Sequence, residues 1–311
     1  MATKLTPKEL AKRPERLAPG HRLCSGCGAS IIVRQMMAAI DDPVVIANAT
    51  GCLEVATTIY PYTAWRVPWI HNAFENAAST ISGVEAAYRS MVRQGKIPEQ
   101  NVKFIAYGGD GGTYDIGLQA LSGAAERNED FIYVCYDNEA YMNTGIQRSG
   151  ATPHGAATTT SPAGKVIPGK PEFKKDFIGI CAAHGIEFAA TASPAYWNDY
   201  ITKVQRGLEV EGPAVLHVFS PCPLGMRHDS AKSIELAKLA VQTRYWPVYE
   251  VYKGKYKLNI KVPKPKPVVE FLKLQGRFRH LFQPQFQHEL EIIQHWVDEN
   301  WKRITNLCGE S

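Results

Sequence analysis

Two sets of residues in this chain have the types and the spacing to do chemistry, and the first is a glycine-rich loop. Residues 108–112 read Gly-Gly-Asp-Gly-Gly, with Asp110 at the centre, and they follow the apolar segment 102–107. Glycines let a backbone approach a phosphate group, and the N-terminus of a following helix favours an anion. A carboxylate suits Mg²⁺, which usually takes one or two carboxylates together with phosphate oxygens. Taken alone, the loop is explained equally well as a tight turn.

A second polar segment strengthens the case for a metal site. The apolar segment 131–136 is followed by Asp-Asn-Glu-Ala-Tyr-Met-Asn-Thr-Gly at residues 137–145. Asn138 can offer a side-chain carbonyl and Ala140 a backbone carbonyl. Because ligands bind at the carboxyl ends of strands in open α/β sheets, we expect these oxygens to lie beside Asp110.

The same two segments also offer groups for a phosphate. Asn143 and Thr144 can hydrogen-bond phosphate oxygens, and Gly109 and Gly111 leave room for them. A Rossmann dinucleotide site fits less well, because its fingerprint needs three spaced glycines after the strand and an acidic residue about 20 residues further on. Here the aspartate lies between the glycines.

The second set consists of four of the seven cysteines. The odd number of cysteines in the whole chain argues against a disulfide framework in a cytoplasmic protein. Cys24 and Cys27 form a C-x-x-C turn before a predicted helix. Cys52 and Cys222 each follow an apolar strand segment, so all four can converge at one edge of a sheet. Four thiolates suit a [4Fe–4S] cluster or a structural zinc ion, and the spacing leaves both open.

Alternating strands and helices must position these residues. Short β-branched runs next to turn residues predict buried parallel strands at residues 44–47, 102–107, 131–136 and 214–219. Helical patterns lie at residues 30–40, 75–93, 116–126, 176–184 and 196–207. This alternation predicts a doubly wound, mainly parallel α/β sheet with helices on both faces.

Composition divides the chain into a central domain and two extensions. We predict an N-terminal tail over residues 1–20, a cofactor-binding domain over 21–229, and a C-terminal extension over 230–311 that packs on a neighbouring subunit. The long loop 149–171 is of a length that is usually functional or partner-bound. The extension contains a proline-rich linker at 262–267 and an amphipathic helix at 286–304.

Composition also excludes some classes of function. Apolar residues make up 45% and charged residues 21%, as in ordinary soluble proteins. No apolar run approaches the roughly 20 residues of a spanning helix, and the N-terminus has no apolar signal core, so we expect a cytoplasmic protein without a membrane partner. A net charge of +5 is too small to argue for nucleic acid.

Together these motifs resemble the β subunit of pyruvate:ferredoxin oxidoreductase and its relatives among the 2-oxoacid:ferredoxin oxidoreductases, including oxalate oxidoreductase. The resemblance runs from about residue 21 to 227, with weaker similarity around 272–281. The segments that support it lie at residues 24–28, 51–55, 63–71, 74–78, 108–117 and 136–149. It implies the thiamine-diphosphate-binding fold and oxidative decarboxylation of a 2-oxoacid.

The resemblance also implies which residues hold which cofactor. Mg²⁺ would be held by Asp110, Asn138 and the carbonyl of Ala140. The cluster would be a [4Fe–4S] group, and thiamine diphosphate would be the organic cofactor. The implied cluster ligands are Cys24, Cys27, Cys52 and Cys222. The implied thiamine contacts are Gly109, Asp110, Gly111, Asn138, Asn143, Thr144 and Cys52, with Asn143 and Glu54 as candidate catalytic residues.

Several partners follow from the same resemblance. An α subunit would carry the pyrimidine-binding half of the site and the glutamate that assists proton transfer. Glu54 is the candidate for that role within this chain, with a structural ion pair or hydrogen bond as the alternative. A ferredoxin-like cluster subunit or domain and ferredoxin itself would receive the electrons, and coenzyme A would accept the acyl group.

The substrate stays open among several alternatives. Long stretches of the sequence favour pyruvate. Oxalate, which needs no coenzyme A, or another 2-oxoacid is the main alternative. A non-redox thiamine-dependent decarboxylase would leave the four cysteines incidental or zinc-bound. A zinc-stabilised binding module would leave the pairing of Asp110 with Asn138 unexplained.

Overall fold

An eight-stranded sheet forms the centre of the computed structural model, which describes residues 5–310. The strands are β1 (Val44–Ala49), β2 (Trp69–Asn72), β3 (Lys103–Gly109), β4 (Ile132–Asp137), β5 (Phe188–Ala192), β6 (Ala214–Phe219), β7 (Tyr249–Tyr252) and β8 (Lys255–Leu258). Their order across the sheet is β2-β1-β3-β4-β6-β5-β7-β8. The first six strands pair in parallel, and β7 and β8 pair antiparallel.

Helices cover both faces of this sheet. They are α1 (Pro7–Leu10), α2 (Gly28–Ala38), α3 (Cys52–Thr57), α4 (Ala77–Arg93), α5 (Leu118–Arg127), α6 (Phe177–Ala183), α7 (Trp197–Glu209), α8 (Pro223–Met226), α9 (Ser233–Gln242), α10 (Val268–Lys273) and α11 (Gln287–Leu307). Along β4, Ile132 and Val134 face the core under α2 and α7, whereas Tyr133 and Cys135 face the core under α4, α5 and α6. Side chains of a strand alternate between faces, so a strand buried on both sides needs an apolar residue at every position. The predicted doubly wound α/β fold is therefore confirmed.

The register of the strands decides where the candidate residues meet. Asn48 pairs with Tyr107, Gly108 pairs with Cys135, and Asp137 pairs with Phe219. Four successive strands therefore end at one level of the sheet. The segments that leave them carry the glycine loop, the asparagine segment, Cys52 and Cys222.

Four strands were not predicted from the sequence. The edge strand β2 is half-exposed and β5 reads Phe-Ala-Ala-Thr-Ala, so neither has the β-branched run typical of a buried strand. The strands β7 and β8 lie in the C-terminal extension and add an antiparallel hairpin beside β5. The extension therefore completes this chain's own sheet.

Both predicted extensions pack on the central domain of this chain. The sequence had indicated segments that are separate from that domain. Of the predicted tail, residues 5–20 bury Leu17 in the main core, and Ala18 bonds to Ala64. In the C-terminal extension, α9, α10 and α11 form a third core with Phe219 and Met226. Apolar side chains in these segments gain burial from the nearest available core, which is here in the same chain. Contact of the extension with a partner stays a prediction. Among the described residues, no helix is long and apolar enough to cross a membrane.

Candidate functional site

A cleft of about 270 Å³, counted together with the solvent space at its mouth, opens where β1, β3 and β4 end. This is the switch point of the sheet, because the chain leaves β1 toward β2 on one side and returns to β3 on the other. The cleft is lined by Thr50, Gly51, Cys52, Phe74, Gly109, Gly111, Gly112, Tyr136, Asn138, Ala140, Tyr141, Met142 and Asn143. The glycine loop, the asparagine segment and one of the candidate cysteines thus share one cavity.

The glycine loop enters a wide helical turn rather than a regular α-helix. Residues Gly111–Asp115 form a π-helix, a rare feature that often marks functional sites. A Cβ atom on Gly111 would lie 2.4 Å from the ring of Tyr141, whose hydroxyl donates to the carbonyl of Gly111 over 2.9 Å. Glycine is thus required because an aromatic ring packs directly on the backbone. Tyr141 was not predicted as a site residue, although it lies within the asparagine segment.

Three oxygen-bearing groups converge beside this loop. One terminal atom of the Asn138 amide lies 2.9 Å from Oδ1 of Asp110 and 2.9 Å from the carbonyl oxygen of Ala140. With the amide oxygen at that position, three oxygens face a common point, as the ligands of a cation do. With the amide turned round, its NH₂ group donates to both oxygens. The arrangement fits Mg²⁺. Without the ion, the turned amide satisfies the other two oxygens by hydrogen bonds.

The environment of Asp110 favours a nearby cation. Its side chain is fully buried, and the hydroxyl of Ser149 donates to Oδ2 over 2.5 Å. Burial and then the carboxylate of Asp137 raise the pKa of Asp110 well above its ordinary value, although Ser149 lowers it. A carboxyl group with this bias loses its proton most readily when a cation lies against it. Ser149 was not named as a site residue, but it begins the long loop that was expected to be functional.

The C-x-x-C turn is held against the segment that carries Cys222. The amide of Gly28 donates to the carbonyl of Pro221 over 2.9 Å, and a Cβ atom on Gly28 would lie 2.6 Å from Cδ of Pro221. On the other side, the hydroxyl of Ser233 donates to the carbonyl of Gly26 over 2.6 Å. Gly26 has a φ of +73°, a conformation that favours glycine. Backbone contacts therefore bring the turn and Cys222 together.

The thiols of the four cysteines lie within electrostatic reach of one another. Burial raises the pKa of Cys27 to about 11, and Cys222 and Cys24 contribute to that shift. Burial raises the pKa of Cys52 to about 12, with further contributions from Cys222, Cys27 and Cys24. Within residues 5–310, no three His, Cys, Asp or Glu side chains are close enough to share one metal ion. The cysteines are neighbours at one edge, and all are free thiols.

Tyr136 lies between the cleft and the cysteines. Its hydroxyl is buried without a hydrogen-bond partner, and a Cβ atom on Gly51 would lie 2.8 Å from it. Burial and then the neighbouring Cys52 raise the pKa of Tyr136 well above its ordinary value. Because Cys52 also lines the cleft, it belongs to both groups of residues.

Three other predicted residues have different surroundings. Asn143 is exposed at the mouth of the cleft. Thr144 does not line it, and its hydroxyl is bound to the side chain of Gln147. Glu54 is buried away from the lining, accepts a hydrogen bond from Thr58 over 3.0 Å and lies 3.6 Å from His71. The roles of all three stay predictions.

Comparison with known proteins identifies the family. Residues 49–218 match the family described as thiamine pyrophosphate enzyme, C-terminal TPP binding domain. Pyruvate synthase subunit PorB of Thermotoga maritima is 52% identical over 96% of this chain and 94% of its own length. The chain belongs to this family of thiamine pyrophosphate enzymes. Among its relatives in the family, PorB of Methanocaldococcus jannaschii is 52% identical over 94% of this chain and 97% of its own length.

Two further comparisons complete the description of the family. Ketoisovalerate oxidoreductase subunit VorB of Pyrococcus furiosus is 44% identical over 97% of this chain and 98% of its own length. A solved structure of 2-oxoglutarate:ferredoxin oxidoreductase from Magnetococcus marinus is similar with a TM-score of 0.52 and 23% identity. It covers 69% of this chain and 76% of that one, which supports the fold. The resemblance predicted from the motifs is therefore confirmed at the level of the family.

Proposed function

We propose that this chain is the β subunit of a 2-oxoacid:ferredoxin oxidoreductase that binds thiamine diphosphate, Mg²⁺ and a [4Fe–4S] cluster. That the chain is a subunit of a thiamine-dependent oxidoreductase rests on the family and on its PorB and VorB relatives. The position of Cys52 is the observation that supports the binding of both thiamine diphosphate with Mg²⁺ and a [4Fe–4S] cluster. Cys52 lies in the lining of the oxygen-rich cleft and within electrostatic reach of the three other thiols.

The residues that line the cleft, together with Asp110 beside it, would bind different parts of the cofactor. Asp110, Asn138 and the carbonyl of Ala140 would hold Mg²⁺, and the backbone around Gly109 and Gly111 would lie along the diphosphate. When bound, thiamine diphosphate supplies an electron sink for the carbanion left by loss of carbon dioxide. Asn143, which is exposed and lines the cleft, would contact the substrate or the reacting end of the cofactor.

The four cysteines supply a route for electrons out of the cleft. Cys24, Cys27, Cys52 and Cys222 would hold the cluster as thiolates. Metal binding would favour the thiolate forms of Cys27 and Cys52 despite their raised pKa values. Cys24 is the exposed member of the set, so the route leads from the cleft toward the surface. A ferredoxin-like cluster subunit or domain and ferredoxin would receive the electrons there.

Exposed apolar side chains near the cleft support an α subunit as partner. Val55 follows Cys52, Ile116 follows the glycine loop, and Leu224 follows Cys222. All three are exposed, with Leu224 at 67%. Contiguous apolar exposure marks interaction sites, and these three residues all follow strands that end at the same edge of the sheet. An α chain on this edge would close the cleft and supply the pyrimidine half of the thiamine site.

We propose pyruvate as the substrate, with coenzyme A as the acyl acceptor. The PorB relatives at 52% identity favour pyruvate, and the VorB relative at 44% favours 2-oxoisovalerate as the second candidate. The decisive experiment is viologen reduction by the anaerobically purified complex, with pyruvate, 2-oxoisovalerate, 2-oxoglutarate and oxalate in turn, each with and without coenzyme A. We expect the fastest reduction with pyruvate plus coenzyme A.

Each other result points to a different function. Reduction by oxalate alone, independent of coenzyme A, would make the pyruvate assignment wrong. Decarboxylation without viologen reduction, in a colourless complex with stoichiometric zinc, would instead indicate a non-redox decarboxylase. A broad absorption band at about 400 nm would support the cluster before any assay is run.

A further inference from the structure

The backbone between the proposed Mg²⁺ ligands is held in an unusual conformation. Glu139, which separates Asn138 from Ala140, has a φ of +68°. A non-glycine residue rarely adopts this left-handed conformation unless its surroundings hold it there. The turn matters because it directs the side chain of Asn138 and the carbonyl of Ala140 to the same point.

The side chain of Glu139 does not line the cleft and is anchored by three other side chains. It is fully buried and pairs with the guanidinium of Arg277, while Nζ of Lys174 lies 2.9 Å from Oε1. The hydroxyl of Tyr245 donates to Oε1 over 2.7 Å, and that of Thr152 donates to the backbone carbonyl over 2.7 Å. Both carboxylate oxygens and the carbonyl of this residue are thereby engaged.

Arg277 is fixed in turn by its own segment. It lies in the 3₁₀-helix Gly276–Phe282 of the C-terminal extension and is buried. Its Nε and Nη2 donate to Oε1 of Gln275 over 3.0 and 2.7 Å. The amide of Gly276 bonds to the carbonyl of Arg227, close to the end of α8. The segment around residues 272–281, which belongs to the C-terminal extension, therefore reaches the loop of the proposed metal site.

We propose that Arg277, acting through Glu139, is a positioning residue that sets the geometry of the Mg²⁺ ligands Asn138 and Ala140. This inference rests on the proposed function and deepens it, because it assigns a task to the C-terminal extension in the same site. Groups behind metal ligands commonly orient them, and their removal costs about ten- to a hundredfold in metal affinity. Here the orienting contact acts on the residue between two ligands and thereby on both.

The test is the Mg²⁺ requirement for thiamine diphosphate binding in the purified complex. Metal and cofactor are removed by chelation and dialysis, and Mg²⁺ is titrated at saturating thiamine diphosphate while protein fluorescence reports binding. We expect Arg277→Met to raise the half-saturating Mg²⁺ concentration by about tenfold or more. Arg277→Lys, which keeps the charge but loses the planar fork, should raise it less.

Two matched controls separate positioning from plain stability. Arg279→Met makes the same change two residues away at an exposed position and should leave the Mg²⁺ requirement unchanged. Lys203→Met removes a buried lysine that is paired with Asp199, away from the cleft. It should lower the melting temperature of the unloaded complex without moving the Mg²⁺ requirement.

The outcomes distinguish this inference from the proposed function. An unchanged Mg²⁺ requirement in Arg277→Met would overturn the positioning role, whatever its melting temperature. If that variant fails to assemble, Glu139→Gln carries the same expectation and the same contradicting result. Failure of the wild-type complex to bind thiamine diphosphate with Mg²⁺ would overturn the proposed function first, and this inference with it.

Discussion

The oxygen-rich side of the cleft and the cysteine side are built in different ways. On the oxygen side, Asp110, Asn138 and Ala140 are all buried, and hydrogen bonds from Ser149 and from the backbone amide of Asn138 fix the carboxylate of Asp110. On the cysteine side, Cys24 is exposed and the other three candidate thiols are partly exposed. The backbone of that side is closely packed around Gly26 and Gly28, but the thiols themselves are free.

The two sites therefore differ in how far this chain positions their ligands before a cofactor binds. The ligands of the proposed Mg²⁺ site are placed by packing, so a bound ion would replace one satisfied state by another. The thiols of Cys27 and Cys52 are protonated when free, because burial raises their pKa values, and a cluster must displace those protons to bind. We therefore expect the two sites to be lost independently, each by its own substitutions.

The largest expected effect is on thiamine diphosphate binding in Asp110→Ala. Removal of the buried carboxylate takes away the proposed charged ligand of Mg²⁺, so affinity for the cofactor should fall by more than about a hundredfold. Iron content and the absorption of the cluster should stay at wild-type values. Equilibrium dialysis and iron analysis of the same sample measure both. Normal cofactor affinity would contradict the assignment of the metal site.

The converse expectation concerns Cys27→Ser. Loss of one thiolate should remove the cluster or leave it labile, with visible absorption reduced several-fold, because [4Fe–4S] clusters use four cysteine ligands. Binding of thiamine diphosphate should be retained. Cys308→Ser is the control, since Cys308 is a free cysteine near the end of α11. Equal loss of colour in both variants would argue against the four-cysteine set.

A glycine substitution tests the close packing of the C-x-x-C turn against the Cys222 segment. In Gly28→Ala the new methyl group would meet the ring and backbone of Pro221, so the turn or the Cys222 segment must shift. We expect a loss of about 1–3 kcal/mol in the free energy of unfolding, as for other overpacked positions, together with lower cluster occupancy. Denaturant titration of the full complex and iron analysis measure these effects.

The matched control for that variant is a glycine in open space. A Cβ atom on Gly83, within α4, would meet nothing within 4 Å. Gly83→Ala should be neutral or stabilise the helix by about 0.5–1 kcal/mol, because alanine loses less backbone entropy. If the two variants behaved alike, the close approach of Gly28 and Pro221 would not matter for the cluster.

The smallest expected effect is on acid stability. Burial raises the pKa of Glu139, but Lys174 and Arg277 outweigh it and hold that pKa below its ordinary value of 4.5. A carboxyl group whose pKa is lowered on folding stabilises the protein above its unfolded pKa. That contribution is lost as the pH falls below 4.5 through the lower folded value.

The measurement compares the wild-type complex with Glu139→Gln. The difference in their free energies of unfolding should be largest near neutral pH and should shrink below pH 4.5. Urea unfolding across this range measures it. A difference that does not change with pH would mean that the charge of Glu139 contributes nothing.

The sequence predicted the parallel core and the meeting of the two motifs, because both depend on local patterns. A buried strand, a glycine loop and an asparagine segment are each contained in a few consecutive residues. Arg277 and Glu139 escaped prediction because they lie 138 residues apart and pair only through the fold. A buried charge of this kind leaves no periodic signal. The antiparallel hairpin β7–β8 was missed because its segment resembled a separate extension.

The central claim is that one edge of the sheet couples a thiamine site to a cluster through Cys52. The most direct test is electron paramagnetic resonance of the anaerobic complex after addition of pyruvate and coenzyme A. The wild type should show a reduced [4Fe–4S] signal, whereas Asp110→Ala should show it with dithionite but not with pyruvate. A pyruvate-dependent signal of wild-type size in Asp110→Ala, or no cluster signal in the wild type under either reductant, would contradict the account.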